Sequence, residues 1–83
     1  MKQLTIGLAT SNGHTYCGPT HTAPPGIIKP LTIYVADPAL VLESMQDIFA
    51  RGHIRGPYFD FRFIKPERIA AQITTPMALG VAA

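Results

Sequence analysis

The chain has one cysteine, no tryptophan and few charges: Cys17 stands alone among 83 residues, and Lys, Arg, Asp and Glu together make up only 14%. A lone cysteine excludes an internal disulfide and the paired Cys-x-x-Cys arrangement of ordinary structural zinc sites. The carboxylates Asp37, Glu43, Asp47, Asp60 and Glu67 are scattered, without the pairing that general acid–base chemistry needs. Gly13, Gly18 and Gly26 are not followed by the lysine or the helix start of a phosphate-binding loop. No stretch approaches the roughly 18–20 uninterrupted apolar residues of a membrane helix, so no membrane partner is expected. The opening ten residues also lack the roughly 7–15-residue apolar core of a secretory signal. Together with the cysteine usage this makes the cytoplasm the expected compartment. Internal repeats, low-complexity runs and heptads are absent.

What is present describes one small domain over 1–83. A 47% hydrophobic content is too high for a disordered chain, and the length is too short for two self-sufficient cores. The formal net charge of +2 neither requires nor excludes nucleic acid. A core of this size supplies only a few kcal/mol, so association with a metal, a partner or a second copy is favoured.

Leu4, Ile6 and Leu8 alternate with Gln3, Thr5 and Gly7, and Leu31, Ile33 and Val35 alternate with Thr32, Tyr34 and Ala36. Both patterns have the period of a strand with one face buried. Asp37-Pro38 is a helix start, because the carboxylate accepts first-turn amides and proline loses nothing by lacking an N–H there. The spacing of Val41, Met45, Ile48 and Phe49, with Leu42 beside them, predicts an amphipathic helix of about fifteen residues. It should end near Arg51, with Gly52 in a left-handed cap. Phe59, Phe61 and Phe63 alternate with Tyr58, Asp60 and Arg62, which predicts a third strand with three rings in the core. The stretch 68–75 reads as a fourth strand with Ile69, Ala71 and Ile73 inward, or as a short helix opened by Pro66, and the strand is preferred. The expected fold is therefore α+β: a small, largely antiparallel sheet of three to four strands in the order β-β-α-β-β, with one helix on one face. The other face would be open, presenting Thr5, Thr32, Tyr34, Tyr58, Asp60, Arg62, Arg68, Gln72 and Thr74.

The Gly/Pro-rich segment 11–30 reads as a long loop, and connections beyond about 12–15 residues tend to be functional or disordered. It holds His14, Tyr16, Cys17 and His21. Two imidazoles and a thiolate are ligand types that suit zinc, so His14, Cys17 and His21 form a candidate metal site short of a fourth ligand. Cys17 beside a histidine also has the makings of a nucleophile and base. A flexible loop, however, is a poor scaffold for that chemistry, and no third group orients the pair.

From Arg51 to Arg68 five basic residues stand against two acidic ones. Arg55, Tyr58, Arg62, Lys65 and Arg68 offer the cation and aromatic mixture that single-stranded nucleic acid uses. The apolar tail 76–83 suggests an added edge strand or an arm that joins two copies into a homodimer.

The leading expectation is a small non-enzymatic binding protein, an inhibitor or adaptor of the kind that phages and mobile elements make. It would dock a protein partner through the long loop and the open sheet face, using His14, Tyr16, His21, Tyr34, Tyr58 and Arg62, with no cofactor. Nucleic-acid binding through 51–68 and a zinc-binding domain are the alternatives. If the loop is the recognition surface, Tyr16→Ala should remove binding and leave the melting temperature nearly unchanged.

Overall fold

The computed structural model describes residues 1–74. Strands β1 (Lys2–Ala9), β2 (His14–Pro19), β3 (Ile27–Val35), β4 (His53–Arg55) and β5 (Tyr58–Phe59) form a five-stranded sheet, with helices α1 (Pro38–Ile48) and α2 (Pro66–Thr74). The strand order is β3-β1-β2-β5-β4, and every pairing is antiparallel. The class is thus α+β, with one more strand than the upper expectation and a second helix.

The largest departure falls in the segment read as a twenty-residue loop. It contains β2, which is central in the sheet and buried along Thr15–Gly18. Asn12-Gly13 makes the hairpin turn from β1: Gly13, at φ 72°, donates its N–H to the Ala9 carbonyl, and the Asn12 carboxamide accepts the His14 N–H. β1 and β2 then pair from Ala9 with His14 to Leu4 with Pro19. With Thr15 and Cys17 on one face and Tyr16 and Gly18 on the other, β2 lacks the apolar–polar alternation by which strands are read. The tail 76–83 lies outside the described residues.

One face of the sheet carries Leu4, Ile6 and Cys17 into a core shared with Met45, Phe49, Phe59, Ile64, Ile69 and Ile73. α1 starts as expected, with the Asp37 carboxylate accepting the Ala39 and Leu40 amides. It ends earlier, at Ile48, and a single 3-10 turn over Ala50–Gly52 follows. Ile48 is exposed rather than inward. Gly52 does not take positive φ. It is close packing that favours glycine there, since a methyl group would overlap the Ile64 side chain.

The preferred strand over 68–75 is instead α2. Pro66 occupies its first turn, and Ile69 and Ile73, four residues apart, are its buried stripe. Alternation through Ile69, Ala71 and Ile73 fits either period, and the buried pair satisfies the helix. The three-phenylalanine strand is also shorter than expected, ending at Phe59. The Asp60 carbonyl accepts the N–H groups of Phe63 and Ile64, and its carboxylate accepts the Arg62 N–H, so the chain turns. Only Phe59 enters the core, and Phe63 faces solvent.

The second face is not an open platform. Thr20 and Thr5 share a hydroxyl hydrogen bond of 2.8 Å, Thr10 donates to the Gly26 carbonyl, and the Ile27 side chain lies over Gly7. The connection from β2 to β3 therefore folds across the sheet and buries Thr5, Gly7, Tyr16 and Gly18. Thr32 and Tyr34 stay exposed on β3, whereas Asp60, Arg62, Arg68, Gln72 and Thr74 are not on strands at all.

Candidate functional site

Tyr16, expected at the tip of a recognition loop, is fully buried. Its hydroxyl donates to the Pro19 carbonyl at 2.8 Å and lies 3.1 Å from the Thr22 hydroxyl. Its ring meets Tyr58 edge-on at 5.6 Å, and the Gly18 position leaves the phenol its space. Burial raises the Tyr16 phenol above its usual ionisation range, and the Thr22 hydrogen bond partly offsets this. Tyr16 is thus a structural residue and not a contact for a partner.

The three expected zinc ligands are not brought together. An odd spacing along a strand puts two side chains on opposite faces. Cys17 accordingly points into the helix-covered core, while His14 lies beside Tyr58, their rings 6.3 Å apart. His21 is exposed on the 3-10 turn Thr20–Thr22. Among the described residues no group of three or more His, Cys, Asp or Glu side chains is placed to hold a metal ion. The same opposition separates Cys17 from His14 as nucleophile and base, and burial pushes the Cys17 thiol up to about 12.

The basic set divides in the same way. Arg55 and Tyr58 pair across the β4–β5 hairpin. Arg62 forms a fork with Asp60, donating from Nε at 3.2 Å and from Nη2 at 3.0 Å. That contact holds the Asp60 carboxyl below the usual carboxylate range. Lys65 Nζ sits 3.9 Å from the centroid of Phe61, and Arg68 lies over Phe49 at 5.6 Å. Arg62, Lys65 and Arg68 are thus each matched to a ring or a carboxylate.

Of the expected contact residues, Tyr34 stays exposed on a strand. It lies on β3, which is an edge strand because, among the described residues, only β1 pairs with it. Ile28, Leu31 and Tyr34 on this strand are 48%, 37% and 57% exposed. Ile33 and Val35 pack against the core, so the helices cover only part of β3. A groove of about 560 Å³ runs beside its C-terminal end, lined by Tyr34, Val35, Leu40, Val41 and Ile73. The alternation around Leu31 finds the strand but gives no sign that it is an edge, because pairing order depends on the unread strand β2.

Comparison of the chain with protein-family models, with curated proteins and with solved structures finds no match. Among the described residues no helix is long and apolar enough to cross a membrane.

Proposed function

We propose that this is a small non-enzymatic binding protein that docks a protein partner along the β3 edge of its sheet. The observation that carries this reading is a strand whose outer edge is unpaired among the described residues and whose Leu31 and Tyr34 side chains, one on each face, are exposed. An edge strand presents unpaired N–H and C=O groups to an incoming extended segment, and apolar side chains along it add affinity and register. Lys29 at φ 47° and Pro30, which has no N–H, interrupt the first part of the edge. The pairing frame is therefore Leu31–Val35. The groove beside Tyr34 and Leu40 then takes apolar side chains that the incoming strand directs toward α1.

The test compares the wild type with Leu31→Lys/Tyr34→Lys, both positions being exposed and the variant losing one exposed hydrogen bond, from Gln3 Nε2 to the Tyr34 hydroxyl. A partner retained by the wild type should be lost by the double variant at unchanged melting temperature. It should also slow amide hydrogen exchange over 31–35. A partner that binds both proteins equally, or that protects amides elsewhere, would overturn the proposal.

A further inference from the structure

A second groove, remote in sequence from β3, lies where the end of α1 meets the turn before α2. It has a volume of about 550 Å³, and Ile48, Phe49, Arg51, Phe63, Ile64 and Arg68 shape it. Two of these are large apolar side chains left in water, Phe63 at 66% and Ile48 at 46% exposed. Phe63 is held from one side by Arg62, whose guanidinium carbon stands 5.4 Å from the ring centroid and is itself fixed by Asp60. An exposed aromatic ring in a fixed pose is costly to leave in water and well suited to anchor a ligand.

The charge lining this groove has one sign. Among the described residues Arg51 and Arg68 are its only charged lining residues, and Arg68 is already stacked over Phe49. The carboxylates nearest in sequence to Ile48 are directed elsewhere: Glu43 and Asp47 line a separate surface of α1 with Leu40 and Ser44. Asp60 is occupied by Arg62. The groove therefore offers an apolar floor and two guanidinium forks with no competing anion in its lining, and such forks bind carboxylates in a bidentate way.

We infer that this groove binds an acidic protein segment, one that inserts a bulky apolar side chain against Phe63, Phe49 and Ile48 while neighbouring carboxylates meet Arg51 and Arg68. A peptide is favoured over single-stranded nucleic acid because the lining side chains give only guanidinium donors. Among the described residues no lining side chain offers an acceptor to pair with a base edge, and the other cations stand on separate elements. The site shares no residue with the β3 edge, so its fate is independent of the function proposed above.

The probe is a blocked synthetic peptide with a central Phe-Leu pair flanked by Glu and Asp. It is compared with its Gln/Asn counterpart, with an acidic peptide whose central pair is Ala-Ala, and with oligo-dT. Amide chemical shifts of the intact protein locate binding, and anisotropy gives affinity. The acidic Phe-Leu peptide should move the amides of Ala50, Gly52, Phe63 and Ile64. Its affinity should fall about tenfold or more in Arg51→Gln/Arg68→Gln, since glutamine keeps a donor but loses the charge and the fork that a carboxylate meets. Phe63→Ala, at an exposed position, should weaken it similarly without unfolding. Shifts confined to other surfaces, equal binding of the Gln/Asn peptide, or tighter binding of oligo-dT at these amides would each overturn the inference.

Discussion

Replacing Tyr16 tests the central finding about β2, that a segment with the composition of a loop is an interior strand. The phenol makes two polar contacts, to the Pro19 carbonyl and the Thr22 hydroxyl. Thr22 also donates to the Pro19 carbonyl, at 3.1 Å, so that oxygen keeps one partner in Tyr16→Phe. The cost of the hydroxyl alone is then about 1–2 kcal/mol. Truncation to alanine removes the whole ring from a site with no solvent exposure and strips Tyr58 of its edge contact. Large aromatic-to-alanine changes in cores cost about 3–5 kcal/mol. For 83 residues the total stability is on the order of 4–12 kcal/mol. Each kcal/mol lowers the melting temperature of a domain this size by about 4–8 °C. Tyr16→Phe should therefore melt about 4–16 °C below the wild type, and Tyr16→Ala should be largely unfolded or melt at least about 12 °C lower. Circular dichroism during heating reads both. A Tyr16→Ala protein melting with the wild type would show that Tyr16 lies on a loop after all, and would refute the placement of β2 inside the sheet.

Gly52→Ala should destabilise by about 1–2 kcal/mol in urea unfolding, because the added methyl meets an Ile64 side chain that is itself nearly buried. Combined with Ile64→Val, which clears the Cδ1 atom, the loss should be smaller than the sum of the single losses; simple additivity would place the two side chains apart. Cys17 should react with a thiol reagent only when the protein is unfolded, since burial raises the thiol from an ordinary 9.0 to about 12. The unfolded chain releases that proton first, so this contribution to stability is complete below about pH 9 and is lost as pH rises toward about 12, at roughly 1.4 kcal/mol per pH unit at most. Cys17→Ala should flatten this slope, and rapid labelling of the native wild type would contradict the buried placement.

What was legible in the sequence is what local chemistry decides. Asp37-Pro38 starts α1 because a carboxylate and a proline suit the first turn wherever the helix later packs. Leu4, Ile6 and Leu8 define β1 because only one of their faces meets the helices. β2 was not legible because its core-facing Thr15 and Cys17 are no more apolar than Tyr16 on the other face, and because Gly18 and Pro19 are breakers when taken alone. In the sheet, Gly18 leaves space for the Tyr16 ring, and Pro19 ends the strand with its carbonyl holding the Tyr16 hydroxyl. Residues 69–73 mislead for the opposite reason: isoleucines four apart fit both periods, and tertiary packing chooses between them.

The candidate sites follow from this one misreading. Once His14–Pro19 is a strand, His14 and Cys17 must point to opposite faces, so neither a zinc site nor a thiol–imidazole pair can form from them. Once β2 fills the centre of the sheet, β3 becomes an edge among the described residues, and Leu31 and Tyr34, on its two faces, are left exposed there. The turn at Asp60 acts likewise at the other end of the molecule. It ends β5 after Phe59 and turns Phe63 out of the expected core row, leaving it beside the Arg51 and Arg68 side chains that the end of α1 and α2 supply. Arg62 and Phe63 are neighbours in sequence, and their stacking was the available local signal. A guanidinium is a poor neighbour for a core ring and a good one for a ring held at the surface. The two proposed surfaces thus arise where strands end or lose a neighbour, and those positions are set by pairing between distant segments rather than by the residues that become exposed.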